Sequence, residues 1–249
     1  MMKLATDSGR TLNPEILDQL VPDDPRARRS RQDLHRIHRA MGTVSILRQS
    51  LRWLKLPLAP RRILEIGAGD GTLLLRLATS LHPHWSGASV TLIDQHNLIS
   101  PRTRAAYRRL DLRVTVERAD VIEWVRQPSS VRYDLCVATL FLHHFDDGVL
   151  ATLLPALADK VNSIVVAEPR RGMAARVGSS LIGVLGVNSV TRSDAVTSVA
   201  AGFSGHELTD LWPTSGSAWV MRETAEFPFT HSFSAVRASA QAAKAVYGH

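Results

Sequence analysis

The spacing of apolar and polar positions changes at residues 62–81, and the rest of the chain is organised around this change. Ile63, Leu64 and Ile66 form a short apolar run that stops at a cluster of glycines. Leucines spaced three to four residues apart then continue to Leu81. A strand pattern, a glycine turn and a helix pattern together predict the unit that opens a doubly wound α/β sheet. Because glycine has no Cβ, such a turn lets a nucleotide-like ligand approach the backbone.

Apolar runs and helical patterns alternate along most of the chain after this unit. Four more apolar runs predict strands at residues 90–93, 112–116, 133–142 and 164–167. Two later segments, residues 217–223 and 229–236, predict a closing pair of antiparallel strands. Because helices separate the first five strands, the pattern indicates a parallel sheet covered on both faces, and the fold class is α/β.

Two amphipathic helices precede the sheet. Asp24 followed by Pro25 predicts an N-cap and a first helical turn, and apolar faces continue over residues 24–41 and 43–54. These helices could pack on the edge of the sheet, or they could cover the ligand pocket as a lid. Residues 1–23 are polar and show little periodicity, so we expect them to form a loose arm.

A further helical segment, at about residues 170–203, interrupts the sheet pattern before the last two strands. Connecting segments carry function more often than the elements they join, so we expect this insertion and the N-terminal helices to cover the substrate. The sequence shows no internal repeat and no second globular domain. We therefore divide the chain into residues 1–57, the arm and lid helices, and residues 58–249, the main domain.

The composition indicates where the protein is located and which cysteine chemistry it lacks. The single cysteine, Cys136, lies in an apolar run, so the sequence predicts neither a disulfide framework nor a cysteine-based zinc site. The N-terminus is polar, and no apolar stretch is long enough to cross a bilayer. We therefore expect a cytoplasmic protein without a membrane span.

The positive charge comes mainly from arginine. The formal net charge is +7, and only four of the 30 basic residues are lysines. A basic surface is typical of proteins that bind nucleic acid, anionic lipid or acidic substrates. An arginine-rich surface that binds none of these is the other interpretation, and the charge leaves both open.

Acidic residues around the glycine turn indicate which ligand it binds. A dinucleotide fingerprint reads G-x-G-x-x-G and holds a pyrophosphate at the helix N-terminus. Residues 65–71 read E-I-G-A-G-D-G, with Glu65 inside the strand and Asp70 in the turn. Two carboxylates would repel a pyrophosphate and favour a cationic ligand. Asp94 ends the second predicted strand, where an acid about 20 residues after the turn can bind both ribose hydroxyls of an adenosine, or else cap a helix.

These features resemble the class I S-adenosylmethionine-dependent methyltransferases over about residues 60–170. The resemblance implies a Rossmann-like, seven-stranded, doubly wound sheet in the order 3-2-1-4-5-7-6, and it implies S-adenosylmethionine as the cofactor. In that family an acid at the position of Asp120 accepts a hydrogen bond from the adenine amino group, although Asp120 could instead only cap a helix. The positions that the resemblance assigns to the cofactor are Glu65, Gly67, Ala68, Gly69, Asp94, Gln95, Asp120, Val121, Thr139 and Leu140.

The segment after the fourth predicted strand resembles a narrower group. Residues 142–146, L-H-H-F-D, look like small-molecule methyltransferases of the quinone-biosynthesis type. Residues 168–171 and 191–213 more loosely resemble bacterial methyltransferases found beside type III polyketide synthases. The second likeness implies a phenolic, quinone or lipidic polyketide acceptor, so we expect O-methylation in secondary metabolism, with C-methylation left open.

Methyl transfer from a sulfonium is an in-line displacement, so an enzyme has mainly to align the reactants. A phenol with a pKa of about 10 must also lose its proton, and an imidazole suits that task at neutral pH. His143 and His144 are therefore the candidate catalytic residues. Since adjacent side chains usually point apart, we expect only one of them to face the pocket, with a slight preference for His143. Arg170 and Arg171 could hold an acidic acceptor or lie on the surface.

Other classes of function remain open. Methylation of exocyclic base amines usually needs an [N/D]-P-P-[Y/F] loop after the fourth strand, where residues 138–141 read A-T-L-F. Pyrimidine C5 methylation needs a nucleophilic cysteine in the pocket, and Cys136 lies inside a predicted strand. Nucleic acid is thus disfavoured as a partner, although ribose or N7 methylation of RNA and non-catalytic cofactor binding are alternatives. We expect a small-molecule acceptor and no metal, since His143 and His144 need ligands from elsewhere to form a metal site. A homodimer is one option for the oligomeric state.

Overall fold

The computed structural model describes residues 9–181, 186–214 and 218–238. Its centre is one seven-stranded sheet in the order β3-β2-β1-β4-β5-β7-β6. The strands are β1 (Arg62–Ile66), β2 (Ser89–Asp94), β3 (Arg113–Arg118), β4 (Leu135–Thr139), β5 (Ser163–Pro169), β6 (Trp219–Glu226) and β7 (Thr230–Arg237). The first five strands are parallel, and β7 runs antiparallel to both β5 and β6. The predicted fold class and strand order are confirmed.

Helices connect the strands and precede the sheet. They are α1 (Ile16–Gln19), α2 (Pro25–Ala40), α3 (Thr43–Leu54), α4 (Thr72–Leu81), α5 (Pro101–Arg109), α6 (Val121–Arg126), α7 (Asp147–Lys160), α8 (Met173–Leu181), α9 (Ser189–Ala201) and α10 (Glu207–Leu211). A short 3-10 turn, Leu142–His144, follows β4. Several helices begin at a side chain that accepts a hydrogen bond from the first-turn backbone, which satisfies an N–H group that has no helical partner. These caps are Asp24, Ser100, Asp120, Asp146 and Asn188.

The central strands are buried on both faces. Every residue of β4 and β5 is buried, as expected where helices cover both sides of a parallel sheet. One apolar cluster includes Leu154, Phe203 and Phe233, and a second includes Leu47 and Leu74. Because the first five strands are parallel, their carboxyl ends lie together at one edge of the sheet. Ligands bind at this edge in open α/β sheets.

The two long N-terminal helices occupy different places. Helix α3 lies against β5 and β7 as part of a covering layer. Helix α2 packs on α9, where buried Asp33 accepts a 2.8 Å hydrogen bond from the backbone N–H of Asn188. Ser30 and Thr191 form a second buried contact of 2.7 Å. Thus α2 and α9 pack together as a pair, whereas a role as a lid and the division at residue 57 stay predictions.

Candidate active site

The turn after β1 leaves open space in front of one glycine. Gly67, Gly69 and Gly71 have φ angles of 66°, 54° and 71°, a region that residues with a Cβ rarely adopt. A Cβ on Gly67 would lie 2.3 Å from the Phe141 ring, whereas a Cβ on Gly69 would meet no atom of the described residues within 4 Å. Gly67 is therefore needed for packing, and Gly69 faces open space.

Glu65, the acid inside β1, is buried with an unsatisfied oxygen. The residue is 3% exposed, and its Oε2 atom has no hydrogen-bond partner within the described part of the chain. Burial raises the pKa of Glu65 well above its usual value, and the charges of Asp70 and Asp94 raise it further. A cationic ligand in the cleft would supply both a donor and the compensating charge. This environment fits the positively charged cofactor that the sequence predicts.

Asp94, at the end of β2, holds the glycine turn in place. Its Oδ2 atom accepts a 2.9 Å hydrogen bond from the backbone N–H of Gly69, and its Oδ1 atom accepts one of 2.8 Å from His96. Each carboxylate oxygen has a second lone pair, so Asp94 can still accept hydrogen bonds from ribose hydroxyls. The position predicted for the ribose is thus directly beside the open glycine.

Asp120 caps α6 and contacts a second predicted cofactor residue. Its Oδ1 atom accepts a 2.7 Å hydrogen bond from the backbone of Ile122. Its Oδ2 atom accepts one of 3.0 Å from the Gln95 side chain, which follows Asp94. The capping role is therefore real, and the same carboxylate also lies next to the end of β2. Both interpretations made from the sequence are compatible with this placement.

Asp70 binds a residue of α2 that the sequence analysis did not identify. Its Oδ2 atom lies 2.8 Å from Nε2 of His35, and its Oδ1 atom accepts a 2.6 Å hydrogen bond from Thr72. Burial raises the pKa of Asp70, but the hydrogen bonds from His35 and Thr72 outweigh burial and lower it below the usual value. Helix α2 is thereby fixed to the glycine turn, as a lid over the cofactor cleft would be.

The 3-10 turn after β4 is held by a buried acid of β5. Glu168 has no exposed surface and accepts 3.0 Å hydrogen bonds from the backbone N–H groups of Phe141 and Leu142. Just before the turn, Leu140 has a φ angle of 49°, and the buried Thr139 hydroxyl has no partner within the described ranges. Strained positions of this kind cluster at functional sites. No local sequence pattern indicates this role of Glu168.

Both candidate histidines face one cavity of about 310 Å³. The rings of His143 and His144 lie 4.3 Å apart between centroids, because both residues belong to the same tight turn. Both histidines therefore line this cavity, and the expectation that only one of them faces the acceptor stays a prediction. Two acids of the N-terminal segment lie close to the histidines. Oε1 of Glu15 is 3.3 Å from Nε2 of His143, and Oδ2 of Asp18 is 3.2 Å from Nδ1 of His144. The remaining lining residues are Leu12, Asn13, Pro14, Thr197 and Ala201.

The charge state of His143 is set by two carboxylates. Burial lowers its pKa, but the hydrogen bonds from the imidazole to Glu15 and Glu168 outweigh burial and raise the pKa to about 9. The Nδ1 atom lies 2.7 Å from Glu168, and Nε2 faces Glu15. In this closed arrangement the ring is an imidazolium at neutral pH. The ring can accept a proton from an acceptor only after Nε2 has lost its own proton, and separation from Glu15 would favour that loss because it removes one of the two carboxylates that raise the pKa.

Of the predicted loose arm at residues 1–23, residues 1–8 lie outside the described ranges, and residues 9–20 are docked, contrary to expectation. The Arg10 side chain is 3% exposed and donates to the carbonyl oxygens of Ala201 and Phe145 at 2.9 and 2.8 Å. Asp194 on α9 accepts hydrogen bonds from the backbone N–H groups of residues 16 and 17. The sequence pattern missed this docking because the contacts are polar and have no helical or strand period.

The two arginines after β5 have different environments. Arg171 is buried and donates to Gly202, Ser204 and Glu207, so it joins the segment before α10 to the sheet. These contacts give Arg171 a structural role, and acceptor binding by Arg171 stays a prediction. Arg170 is exposed and borders a separate cavity of about 100 Å³. Neither lines the cavity of the histidines.

The sheet order, the glycine turn and the acids beside it agree with the fold expected from the resemblance to class I S-adenosylmethionine-dependent methyltransferases. Residues 63–163 match the family described as "methyltransferase domain". The predicted resemblance is thereby confirmed. No curated protein matches the chain in sequence.

Solved structures share the fold at low sequence identity. The plantazolicin methyltransferase BamL is 13% identical with a TM-score of 0.60, and 87% of this chain and 92% of that chain are covered. The pyocyanin biosynthetic protein PhzM is 18% identical with a TM-score of 0.58, and 90% of this chain and 62% of that chain are covered. A protein of Nostoc punctiforme described as an O-methyltransferase is 14% identical with a TM-score of 0.53, and 79% of this chain and 56% of that chain are covered. The chain thus spans less than two thirds of the latter two. Among the described residues, no helix has the length and apolar character needed to cross a membrane.

Proposed function

We propose that this protein binds S-adenosylmethionine and methylates a small molecule. The observation that carries the proposal is the buried Glu65, whose Oε2 atom has no partner in the described part of the chain. It lies beside a glycine turn with open space at Gly69. A dinucleotide would add negative charge to this acidic cleft, whereas a ligand with sulfonium and ammonium groups compensates the charge.

The residues that would hold the cofactor lie along the ends of β1, β2 and β4. Asp94 would accept from the ribose hydroxyls, and Asp120 with Val121 would bind the adenine. Thr139 and Leu140 would line the opposite side, where the Thr139 hydroxyl has a free position within the described structure. When bound, the cofactor supplies an activated methyl group, so the protein has mainly to orient the acceptor.

The acceptor would occupy the cavity of the two histidines. A volume of about 310 Å³ lies at the low end of small-molecule sites. His143 is held by Glu168, and its Nε2 atom faces the cavity, where it would take the proton of an acceptor hydroxyl after Glu15 releases the ring. His144 would contact the acceptor from the side. These groups support O-methylation of a phenolic, quinone or polyketide-type acceptor.

The solved structures of similar fold support a small molecule as the acceptor. One is named an O-methyltransferase, one a pyocyanin biosynthetic protein and one a plantazolicin methyltransferase. The cavity here is also covered by the docked residues 9–20, which leaves little room for a polymer. A place in secondary metabolism, a cytoplasmic location and a homodimer stay predictions.

Calorimetric titration with S-adenosylhomocysteine tests the cofactor, with NAD as the control ligand. We expect micromolar binding of S-adenosylhomocysteine and none of NAD. A folded protein that binds neither would contradict the assignment. Incubation with S-adenosylmethionine and a panel of phenolic, quinone and polyketide acceptors, read by mass spectrometry, then tests the reaction. Methylated RNA and no methylated small molecule would favour the RNA alternative, and cofactor binding without any product would favour a non-catalytic binder.

A further inference from the structure

The histidine cavity contains a second arrangement that methyl transfer alone does not explain. Glu15, His143 and His144 each present a ligand atom, and these atoms lie within 4.8 Å of one another. Asp18 lies beside them, with its Oδ2 atom 3.2 Å from Nδ1 of His144. We propose that Glu15, His143 and His144, supported by Asp18, bind a divalent transition-metal ion such as Zn²⁺.

Glu168 prepares His143 for this role. Its buried carboxylate lies 2.7 Å from Nδ1 of His143, and since an ionised carboxylate can only accept, the proton resides on Nδ1. A metal ion would displace the proton that Nε2 shares with Glu15 and would bind the Nε2 lone pair on the cavity side, because metal binding to imidazole releases a proton. Histidines that bind metals almost always have their other ring nitrogen bonded in this way. Glu168 is fixed in turn by the backbone of the 3-10 turn.

The distances are close to those of a metal site. Zinc binds histidine nitrogen and carboxylate oxygen at about 2.0–2.2 Å, so ligand atoms around a tetrahedral ion lie about 3.3 Å apart. Glu15 Oε1 and His143 Nε2 are 3.3 Å apart. His144 must approach by on the order of 1 Å, and its side chain is 28% exposed, which leaves it room to rotate.

The donor set indicates which ions fit. Two imidazoles with a carboxylate suit zinc and its transition-metal neighbours, whereas Mg²⁺ and Ca²⁺ prefer oxygen ligands only. The ligands come from two distant parts of the chain, since Glu15 and His143 are 128 residues apart. A bound ion would therefore join the N-terminal segment to the edge of the sheet.

The ion would also have a chemical role. A Lewis acid in the cavity lowers the pKa of a bound hydroxyl, so with the ion bound the acceptor proton would pass to solvent, and His143 would act as a ligand instead of as the base. Binding of the ion is independent of the proposed function, whereas this role in the reaction rests on it.

The test is calorimetric titration of the chelator-treated full chain with ZnCl₂, after removal of any histidine tag. Glu15→Gln and His144→Ala each remove a ligand, and His84→Ala removes an exposed histidine elsewhere as the matched control. We expect one ion per chain with micromolar or tighter affinity. Each ligand variant should weaken binding at least about tenfold, since even a lost outer-shell partner costs 10–100-fold. His84→Ala should bind as the wild type does.

Two results would overturn the proposal. One is no zinc binding by the wild type, which would mean that Glu15 and His143 only share a proton. The other is equal binding by the wild type and the Glu15→Gln/His144→Ala double variant, which would locate the ion elsewhere. The absorption spectrum of bound Co²⁺ gives a second readout of the ligand geometry. Titration of the wild type with S-adenosylhomocysteine is a separate measurement, so failure of the metal site and failure of the proposed function are distinguishable.

Discussion

Nδ1 of His143 lies 2.7 Å from Oε2 of Glu168, a carboxylate of β5 with no exposed surface. The other oxygen of Glu168 accepts from the backbone N–H groups of Phe141 and Leu142. One side chain thus fixes both the turn after β4 and the orientation of the candidate base. The Nε2 atom of His143 is consequently directed to the cavity.

Replacing Glu168 by glutamine should abolish this orientation. The amide oxygen can keep the backbone contacts, but the amide nitrogen then faces Nδ1 and forces the ring proton onto Nε2, where it blocks proton uptake. We expect turnover to fall about 100-fold or more and the free energy of unfolding to fall by about 1–3 kcal/mol. Acceptor assays and urea denaturation measure the two effects.

Glu223 is the matched control for this substitution. It pairs with His231 at 2.6 Å and caps the start of α10 through the backbone of Leu208 and Thr209. Glu223→Gln should therefore destabilise the fold to a similar extent without a comparable loss of turnover. Equal loss of turnover in the two variants would contradict an orienting role for Glu168.

Gly69→Val should abolish cofactor binding. The side chain would project into the open space in front of the glycine turn, which the cofactor is expected to fill. Gly205→Val is the control because Gly205 also has a positive φ, 59°, and open space around it. Both variants carry a similar backbone strain of about 1–2 kcal/mol. Calorimetry with S-adenosylhomocysteine should show binding by the Gly205 variant only, and a folded Gly69→Val protein with unchanged affinity would locate the cofactor elsewhere.

Glu65 should make the stability of the ligand-free protein depend on pH. Folding raises its pKa from the usual value of 4.5, so the folded state binds more protons than the unfolded state. The free energy of unfolding of the wild type should therefore fall, relative to Glu65→Gln, as the pH rises from about 4.5 to the raised pKa, and then level off. Urea denaturation of both proteins across this range measures the difference. A difference that does not change with pH would show that Glu65 is not held protonated.

Arg10 should control the docking of residues 9–20. Arg10→Ala removes several buried hydrogen bonds to carbonyl oxygens and the contact with the Phe203 ring, and we expect a loss of about 2 kcal/mol. Hydrogen exchange in residues 9–20 should become faster. Arg26→Ala, which breaks an exposed pair with Asp24, should leave the exchange unchanged. Unchanged exchange in Arg10→Ala would mean that other contacts hold the segment.

The sequence by itself determined the scaffold of the protein. The strand–turn–helix unit at residues 62–81, the alternation of strands and helices and the closing hairpin all depend on neighbouring residues, because period and turn chemistry act over short distances. Asp94 was also found from sequence, since the spacing between a glycine turn and the next strand end is short and regular. The strand order came from the resemblance to a family, and the structure confirms it.

Only the tertiary structure decided how the cavity is closed. Glu15 meets His143 across 128 residues of sequence, and His35 meets Asp70 across 35. Neither pair can be recognised from the sequence around its residues. Polar contacts between separate elements depend on how those elements pack, and not on the spacing of apolar positions along the chain. For the same reason Arg171, which follows a strand end as a binding residue would, is instead engaged with Glu207.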